Sequence, residues 1–398
     1  MLTGLLVLAA CEKYTLTRVY RTQVLDYHGN HVRDTVPALP GKPVRDTFVY
    51  VAAVLVPGSY DWRKDESYGA VGCTVQLWKN NDLQFSSDAG PGTYMSGAPD
   101  SHHLTGGHLY TENCTQEGTR ICRDGKAVLS YSQREKLRGL LEKDGVIYTL
   151  GRDLDSGGFC FRKDGEPLLK QNSGEIFGDF SNPSYGKGGA LYENGDAVCF
   201  SFRNASTCYV VKNGEMQVVS MVPTASRVRD IRLFGEGIYY VADFYTSMMV
   251  YGPSGANALP SGINWVMASL FPRNDGMWVC AETSDYTYCC PVSGTVTGGL
   301  RFYGSGNFMY DGSSELIALG YEGGDYRISK SGGRVLYARD STFLLSTASL
   351  ACAGDRVYAL VNPKEKDAYP FVWNEGRNTQ FEMNGYLTAI EVEISPPR

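Results

Sequence analysis

The stretch of sequence from residue 228 to residue 260 reads VRDIRLFGEGIYYVADFYTSMMVYGPSGANALP. Branched, aromatic and other apolar residues collect in four short runs, and turn-forming residues separate these runs. Gly235, Gly237 and Gly255 supply the positive φ that tight hairpin turns require. Pro260 removes a backbone donor, so the fourth run belongs at the outer edge of a sheet. The stretch therefore predicts four short antiparallel strands, at residues 228–233, 238–242, 247–251 and 258–260.

The third strand of this stretch ends in a motif that occurs eight times along the chain. Each copy is a hydrophobic strand followed by a polar turn of the form Lys-Asn-Gly, as in Val210-Val211-Lys212-Asn213-Gly214. The copies end at residues 81, 125, 165, 214, 255, 294, 332 and 376, so neighbouring copies lie 38 to 49 residues apart. A repeat of about forty residues built from short strands is typical of a β-propeller, with one blade per copy. We therefore predict an all-β protein, a β-propeller of eight four-stranded blades.

The two ends of the repeat region predict how this propeller closes. The chain before Phe48 reads as loop, so the first blade lacks a first strand, whereas residues 387–394 form a strand with no partner strands after them. We expect this C-terminal strand to complete the first blade and to close the ring. The alternative of seven blades plus one irregular hairpin stays open. The most helix-like segment, residues 132–137, is too short to change the all-β assignment.

The first eleven residues resemble a secretory signal that ends in a lipid-attachment motif. Leu8-Ala9-Ala10-Cys11 matches the bacterial lipobox, although no Lys or Arg precedes its apolar run. The alternative is a buried strand with an ordinary cysteine. We expect residues 1–11 to be a lipoprotein signal with Cys11 as the lipid attachment site, residues 12–44 a tether and N-terminal extension, and residues 45–398 the propeller. No other stretch approaches the roughly 20 apolar residues of a spanning helix, so membrane contact is expected through the lipid anchor only.

A lipobox followed by these repeats resembles the propeller lipoproteins of Bacteroidetes. The resemblance is carried by Val49-Tyr50-Val51-Ala52 together with Leu77-Trp78-Lys79-Asn80, and by the copy that ends at Gly214. It covers about residues 45 to 395, and the fifth and sixth copies have lost the basic residue. The resemblance implies a propeller fold and a lipid-anchored position in the bacterial cell envelope, either periplasmic or surface-exposed. It implies no catalytic residues.

Charge and cysteine content restrict the partners and the chemistry. The formal net charge is −6 and the sequence holds no basic run, which argues against nucleic acid as a partner. Eleven cysteines are present, and three pairs flank predicted hairpins: Cys114 with Cys122, Cys199 with Cys208, and Cys280 with Cys289. Antiparallel neighbours approach closely enough for disulfides, which export permits. Since a register error of one residue turns such partners to opposite faces, we favour buried thiols that fill space.

The chain holds none of the sequence motifs that mark common catalytic sites. It lacks a nucleophile elbow, a zinc-protease helix motif, a phosphate-binding loop and a dinucleotide fingerprint. His102, His103 and His108 are the densest histidine group, but adjacent strand residues face opposite ways, so packing is favoured over a metal site. Residues 152–158 resemble a calcium loop without its later acidic ligands, which favours a plain hairpin loop. We predict no metal and no cofactor.

The longest loops are expected on one face of the propeller, at residues 57–72, 87–101 and 172–188. Loops on a rigid scaffold concentrate binding residues, and aromatic rings suit contact with sugars or with protein surfaces. The alternative is that these rings pack the loops onto the blades. The candidate ligand-binding residues are Tyr60, Trp62, Tyr94, His103, Phe177, Phe180 and Tyr185.

Two functions from different classes follow, and the first is favoured. The first is a non-catalytic binding or scaffold lipoprotein of the cell envelope, with a glycan or an envelope protein as ligand on the long-loop face. The second is a carbohydrate-active hydrolase or lyase, which needs a pair of carboxylates in a cleft or a His and a Tyr facing a uronic acid. The groups available for it are Asp61, Glu66, Asp100 and His103. A purely structural partner in an envelope complex is a third possibility.

Overall fold

We describe the fold from a computed structural model of the chain. The structure describes residues 46–56, 73–89, 102–178, 189–220, 227–244, 247–261, 263–273, 275–283, 286–292, 300–303, 305–311, 316–322, 325–330, 334–340, 342–343, 350–353, 356–363 and 368–395. The chain divides into two compact units, residues 50–391 and the two chain ends up to residue 49 and from residue 392. In the smaller unit, the backbone N–H of Ser395 donates to the carbonyl of Asp46, and that of Asp46 donates to Ser395 Oγ, both at 2.8 Å.

Every regular element in the described ranges is a β-strand, and the strands form eight antiparallel sheets. Sheet 1 contains β1 (Thr47–Leu55), β2 (Cys73–Lys79), β3 (Asp82–Ala89) and β34 (Gly385–Ile394). Sheet 2 contains β4 (His102–Thr105), β5 (His108–Thr115), β6 (Gly118–Arg123) and β7 (Lys126–Tyr131). Sheet 3 contains β8 (Glu135–Lys143), β9 (Val146–Asp153), β10 (Phe159–Lys163) and β11 (Glu166–Gln171). Sheet 4 contains β12 (Glu175–Ile176), β13 (Tyr192–Asn194), β14 (Ala197–Asn204), β15 (Thr207–Lys212) and β16 (Glu215–Val219).

The second half of the chain repeats the same arrangement. Sheet 5 contains β17 (Arg227–Phe234), β18 (Gly237–Phe244), β19 (Ser247–Gly252) and β20 (Gly255–Ala258). Sheet 6 contains β21 (Met267–Arg273), β22 (Gly276–Glu282), β23 (Tyr286–Pro291) and β24 (Leu300–Tyr303). Sheet 7 contains β25 (Ser305–Asp311), β26 (Leu316–Glu322), β27 (Asp325–Lys330) and β28 (Arg334–Asp340). Sheet 8 contains β29 (Thr342–Phe343), β30 (Leu350–Ala353), β31 (Arg356–Pro363), β32 (Phe371–Asn374) and β33 (Arg377–Gln380).

The two five-stranded sheets keep the four-position plan, because their first strand is divided. In sheet 4, β12 and β13 both pair with β14, at residues 202–203 and 197–199 respectively. In sheet 8, β29 and β30 both pair with β31 in the same manner. Two short strands therefore occupy the first-strand position of each of these sheets, and β12 lies inside the loop predicted at residues 172–188.

The repeated turn motif is explained by the conformation that its Asp or Asn adopts. These residues have positive φ, and the glycine that follows does too, which is the backbone of a tight two-residue hairpin. Glycine and Asn or Asp adopt this conformation at least cost. The side chain also accepts the N–H at the start of the second strand at 2.9 Å, so that the turn ties two strands together. Among the described residues, such bonds run from Leu109 to Asp124, from Ile147 to Asp164 and from Val198 to Asn213.

The C-terminal strand lies where the sequence placed it. Sheet 1 has the order β3-β2-β1-β34, so residues 385–394 occupy the first-strand position beside β1. Within the larger unit, the N–H of Val56 donates to the carbonyl of Asn384 at 2.9 Å, and Thr388 Oγ1 donates to the carbonyl of Ala52 at 3.2 Å. Gly385 allows this approach, because a Cβ there would come within 2.1 Å of the Val54 carbonyl oxygen. The predicted pairing of the two chain ends is confirmed.

Neighbouring sheets of the larger unit pack face to face in chain order. Sheets 3 and 4 share a cluster of rings, in which Phe159 contacts Phe202 at 4.9 Å between centroids and Phe161 contacts Phe200 at 5.2 Å. Similar clusters join sheets 2 and 3, 4 and 5, 5 and 6, 6 and 7, and 7 and 8. Burial of each such side chain contributes about 1.5–3 kcal/mol. Four-stranded antiparallel sheets stacked in this manner form a propeller-type fold.

Buried polar side chains also join neighbouring sheets. Each accepts the N–H of a residue in the first strand of the next sheet, at 2.7–3.0 Å. An unsatisfied buried N–H costs about 1–3 kcal/mol, so these bonds protect the open edge of that strand. The pairs are Glu112 with Leu137, Tyr192 with Leu233, Asp230 with Leu270, and Asn362 with Leu387. The last pair joins sheet 8 to sheet 1.

One predicted strand boundary differs from the structure, and the helix-like segment belongs to a strand, in agreement with the all-β assignment. The helix-like segment at residues 132–137 leads into β8, whose Leu137 and Leu140 are fully buried against sheet 2. Burial of these side chains outweighs the weak helical preference of the segment. The fourth strand of sheet 5 ends at Ala258, two residues before Pro260. The proline therefore follows the edge strand and does not lie in it.

Candidate binding groove

Most residues predicted from the sequence to bind a ligand lie outside the described residues. These are Tyr60, Trp62, Tyr94, Phe180 and Tyr185, together with Asp61, Glu66, Asp100 and the predicted lipid attachment site Cys11. Their predicted roles stay predictions. Only Phe177 and His103 can be placed.

Both of these rings are buried. Phe177 is 5% exposed, packs with Tyr192 and Val228 between sheets 4 and 5, and donates its N–H to the carbonyl of Ser201 at 2.9 Å. His103 is 4% exposed and lies opposite Tyr110 in the register of β4 and β5. Neither ring offers a face to a ligand at the surface in this arrangement. For Phe177 the structure shows the alternative role, which is to pack its loop onto the sheets.

A groove of about 550 Å³ lies between sheets 4 and 5. One wall is the end of the outer strand β16, from Gln217 to Ser220. The other wall comes from β18, β19 and β20 of sheet 5, and includes Ile238, Tyr240 and Tyr251. This volume is within the range of pockets that hold a ligand or a short segment of chain. The groove therefore combines apolar side chains with amide and hydroxyl groups.

Two tyrosine rings give the sheet 5 wall a fixed shape. Tyr240 and Tyr251 lie opposite each other in the register of β18 and β19, and their rings stack with centroids 4.5 Å apart and planes 9° apart. Phe244 supports the second ring at 6.1 Å between centroids. Stacked aromatic pairs contribute about 0.5–1.5 kcal/mol beyond burial of their area. This wall is thus formed before any ligand arrives.

The sheet 4 wall ends in an edge strand with exposed apolar side chains. β16 pairs with β15 and is the last strand in the order of its sheet. Met216 is 48% exposed and Val218 is 60% exposed. Edge strands are usually protected by Lys, by Pro or by a covering loop, and the sequence of β16 contains neither Lys nor Pro. An edge of this type can accept a further strand from another chain.

A separate cluster of polar groups joins sheets 2 and 3. Glu142 accepts a hydrogen bond from the Tyr110 hydroxyl and forms an ion pair with Arg123 at 3.0 Å. His108 Nδ1 lies 2.6 Å from Asp124 Oδ2. Burial and the neighbouring Glu142 raise the pKa of the Tyr110 phenol above its usual range, and its side chain is fully buried. The phenol and the two charged groups satisfy one another, which suits a structural link between the sheets.

A buried ion pair lies within sheet 3, between β8 and β10, where sheet 3 packs against sheet 2. Arg162 Nη2 donates to Glu135 Oε1 at 2.8 Å, and both side chains are almost fully buried. The guanidinium also lies over the ring of Tyr131 at 4.3 Å from its centroid. Burial raises the pKa of Glu135 and opposes the effect of Arg162 beside it. The pair is surrounded by protein on every side, so it stabilises the interface and does not contact solvent.

Glu282 lies at the end of β22, and the pKa of its carboxyl is raised well above that of an exposed glutamate. Burial raises the pKa of its carboxyl from 4.5 to about 7. It lies between Met267 and Thr287 in the sheet register. The folded protein therefore retains the proton of this carboxyl to a higher pH than the unfolded chain does, so we expect the stability of the protein to depend on pH.

The described residues contain no group of three or more His, Cys, Asp or Glu side chains that could hold a metal ion. The segment that resembles a calcium loop is a hairpin loop between β9 and β10. Asp153 Oδ1 accepts the N–H groups of Asp155 and Ser156 at 2.9 and 3.1 Å, and Asp155 pairs with Arg134 at 2.8 Å. The carboxylate of Asp153 is thus bound to the loop itself, and that of Asp155 to Arg134, just before β8. Within the described ranges, no helix is long and apolar enough to cross a bilayer.

One wall of the groove, the outer strand β16, could have been recognised from the sequence. Residues 215–219 read Glu-Met-Gln-Val-Val and follow the turn at Gly214, which marks them as the outer strand of a blade. This strand has apolar residues at alternate positions and no Lys or Pro, as the outer strand β3 also does. The depth of the groove depends on sheet 5, which no local pattern describes.

Comparison with solved structures supports a propeller-type fold. Dihydro-heme d1 dehydrogenase NirN in complex with DHE is similar to this chain with a TM-score of 0.53 and 9% identity, over 86% of this chain and 74% of NirN. AztD from Citrobacter koseri in its apo form aligns with a TM-score of 0.49 and 10% identity, over 88% of this chain and 99% of AztD. No protein-family model matches the sequence, and no curated protein matches it either. At such low identity, the likeness to NirN shows the fold alone.

Proposed function

We propose that this protein is a non-catalytic binding or scaffold lipoprotein of the bacterial cell envelope. Its propeller has eight blades and is closed by the C-terminal strand, and a lipid on Cys11 anchors it. Its ligand is an extended segment of another envelope protein, which adds to the edge of β16 and lies in the groove between sheets 4 and 5. The observation that carries this proposal is the groove beside the edge strand β16, whose Met216 and Val218 side chains are exposed.

Closure of the propeller is supported by contacts at both sides of sheet 1. On one side, Asn362 of sheet 8 bonds both the N–H and the carbonyl of Leu387, at 2.7 and 3.0 Å. On the other side, Glu391 Oε2 accepts the N–H of Gly107 in sheet 2 at 2.8 Å. Sheet 1 is thus bonded to the last sheet of the chain and to the second one. A ring of eight blades requires both contacts.

The choice of an extended peptide rests on the chemistry of the groove walls. A peptide strand can hydrogen-bond to the backbone of β16, whereas alternate side chains face Val218 on one side and Ile238 and Tyr251 on the other. One face of the Tyr251 ring is covered by Tyr240, which limits the stacking of a sugar ring there. The predicted glycan ligand and the carbohydrate-active alternative both depend on loops outside the described residues and stay predictions.

A random-peptide display library screened against the purified chain tests the binding proposal. We expect enrichment of extended peptides with apolar residues at alternate positions. In Val218→Lys, the binding of these peptides should fall at least tenfold, because a lysine on an edge strand opposes the addition of another strand. Leu83→Lys, on the exposed outer strand of sheet 1, is the matched control and should keep the binding. Binding that is unchanged in Val218→Lys, capture of glycans in place of peptides, or release of reducing ends from a polysaccharide would refute the proposal.

The anchor has a separate test that does not depend on the ligand. Cells that express the chain are fed a labelled fatty acid, and the protein is separated into membrane and soluble fractions. We expect label on the wild type in the membrane fraction, and no label in Cys11→Ser. A labelled Cys11→Ser protein, or an unlabelled wild type, contradicts the lipoprotein assignment and leaves the groove proposal untouched.

A further inference from the structure

The three cysteine pairs that flank hairpins differ in their strand register. In sheets 2 and 4, no cysteine faces its partner: Cys114 lies opposite Thr119, Cys122 opposite Thr111, Cys199 opposite Lys212, and Cys208 opposite Arg203. In sheet 6, Cys280 of β22 lies directly opposite Cys289 of β23. Directly opposed residues of an antiparallel pair are the ones whose Cβ atoms approach closely enough for a disulfide. The sequence separations of 8, 9 and 9 residues did not distinguish these three cases.

Side-chain contacts of the sheet 6 pair agree with its register. The two sulfur atoms lie 2.8 Å apart. Cys280 is 2% exposed and Cys289 is 0% exposed, and they pack with Phe271, Trp278 and Leu316 between sheets 6 and 7. Cys290 is the next residue, so it points to the opposite face of the sheet and joins the cluster shared with sheet 5. Cys289 and not Cys290 is therefore the partner of Cys280.

We propose that Cys280 and Cys289 form a disulfide across β22 and β23 when the protein folds in the presence of a disulfide oxidant, and that the other two hairpin pairs do not. The reaction is thiol–disulfide exchange, with oxidised glutathione as a representative oxidant. One protein thiolate attacks the oxidant and releases the first glutathione thiol, and the second protein thiol then displaces the other glutathione. The two protein thiols lose two protons and two electrons, which the oxidant accepts as it becomes two thiols.

Burial determines when this reaction occurs. Exchange requires a thiolate, and burial together with the neighbouring Cys289 raises the pKa of the Cys280 thiol well above its usual range. The packing around the pair also excludes an oxidant of the size of glutathione. Oxidation therefore occurs while β22 and β23 are assembling, before sheets 6 and 7 close over the sulfurs. Once formed, the bond is protected from reductants by the same packing.

Trypsin gives a direct measurement of the bond, because no Lys or Arg lies between Arg273 and Arg301. The peptide of residues 274–301 contains Cys280, Cys289 and Cys290. The chain is refolded with a mixture of reduced and oxidised glutathione, free thiols are alkylated under denaturing conditions, and this peptide is weighed. We expect one alkyl group on it after oxidative refolding and three after refolding in reductant. The peptides that contain the other two hairpin pairs should be fully alkylated in both samples.

Two single variants separate Cys289 from its neighbour. Cys290→Ser should keep the disulfide, so its peptide carries no alkyl group after oxidative refolding. Cys289→Ser should lose it, so its peptide carries two alkyl groups. Three alkyl groups on the wild-type peptide after oxidative refolding, a disulfide in Cys289→Ser, or a bond between Cys199 and Cys208 would overturn the proposal.

A rate measurement tests the protection by packing. Protein that has folded in reductant is given oxidised glutathione without denaturant, and alkylation is followed in time. We expect the disulfide to form at least tenfold more slowly than during refolding. Equal rates contradict the view that the folded core excludes the oxidant.

Discussion

The carboxyl of Glu282 should make the protein less stable as the pH rises from about 5 to about 7. Burial raises the pKa of this group from 4.5 to about 7, so the native state retains a proton that the unfolded chain has already released. Between these two values the native state binds more protons than the unfolded state. Stability that depends on the neutral carboxyl is therefore fully present below about pH 4.5 and is lost as the pH rises towards 7.

The magnitude of this loss of stability follows from the shift in the pKa of Glu282. One pKa unit corresponds to about 1.4 kcal/mol, so a rise from 4.5 to about 7 gives a loss of at most about 3.5 kcal/mol. Partial exposure of the side chain to solvent reduces this figure. Glu282→Gln removes the titrating group and keeps the shape and polarity of the neutral acid. The variant should match the wild type near pH 4.5 and exceed it in stability near pH 7.5.

The assay is urea denaturation of the two proteins at a series of pH values. Other groups titrate in both proteins, so the difference between the two curves isolates Glu282. Glu166→Gln, at an exposed position on β11, controls for the amide substitution itself. Parallel stability curves for the wild type and Glu282→Gln across pH 4.5–7.5 would falsify the assignment of a buried neutral carboxyl.

Two further predictions concern turns and buried charge. Gly125 and Gly145 both have φ of +77°, but a Cβ on Gly125 would lie 2.5 Å from the Phe85 ring, whereas nothing lies within 4 Å of one on Gly145. Gly145→Ala should therefore cost about 1 kcal/mol from its backbone alone, and Gly125→Ala should cost more; equal values in chemical denaturation would contradict the contact. Arg162→Met leaves Glu135 buried without its partner, so we expect a loss of about 3–5 kcal/mol. Replacing both residues of the pair by apolar ones should recover most of that loss in a double-mutant cycle, and a purely additive double variant would argue against the pair.

The hairpins that follow one another within each sheet could be predicted from the sequence because their signals are local, whereas the division of the first strand in sheets 4 and 8 could not. Each copy of the turn motif specifies its own hairpin: Asn213 adopts positive φ, and its side chain accepts the N–H of Val198, fifteen residues earlier in the chain. The residues of the turn and those that flank it are enough to specify this hairpin. The pairing of β34 with β1 was also predictable, because the first sheet lacked its first strand and the C-terminal strand had no partner strands of its own.

Burial and register were decided by the tertiary structure. Phe177 occurs in a segment that was predicted to be a binding loop, and it is buried because residues of sheet 5 cover it. Leu137 occurs in the most helix-like segment, and it is buried in a strand that packs against sheet 2. The groove beside Val218 exists only because sheet 5 lies next to it.

The sequence by itself thus determined which residues form strands and turns, since backbone conformation and hydrophobic alternation act over a few residues. Only the tertiary structure decided that Cys280 faces Cys289 whereas Cys199 does not face Cys208. The physical reason is that a shift of one residue in strand pairing turns a side chain to the other face of the sheet. The energy that selects one register comes from packing between sheets, which involves residues distant in the chain.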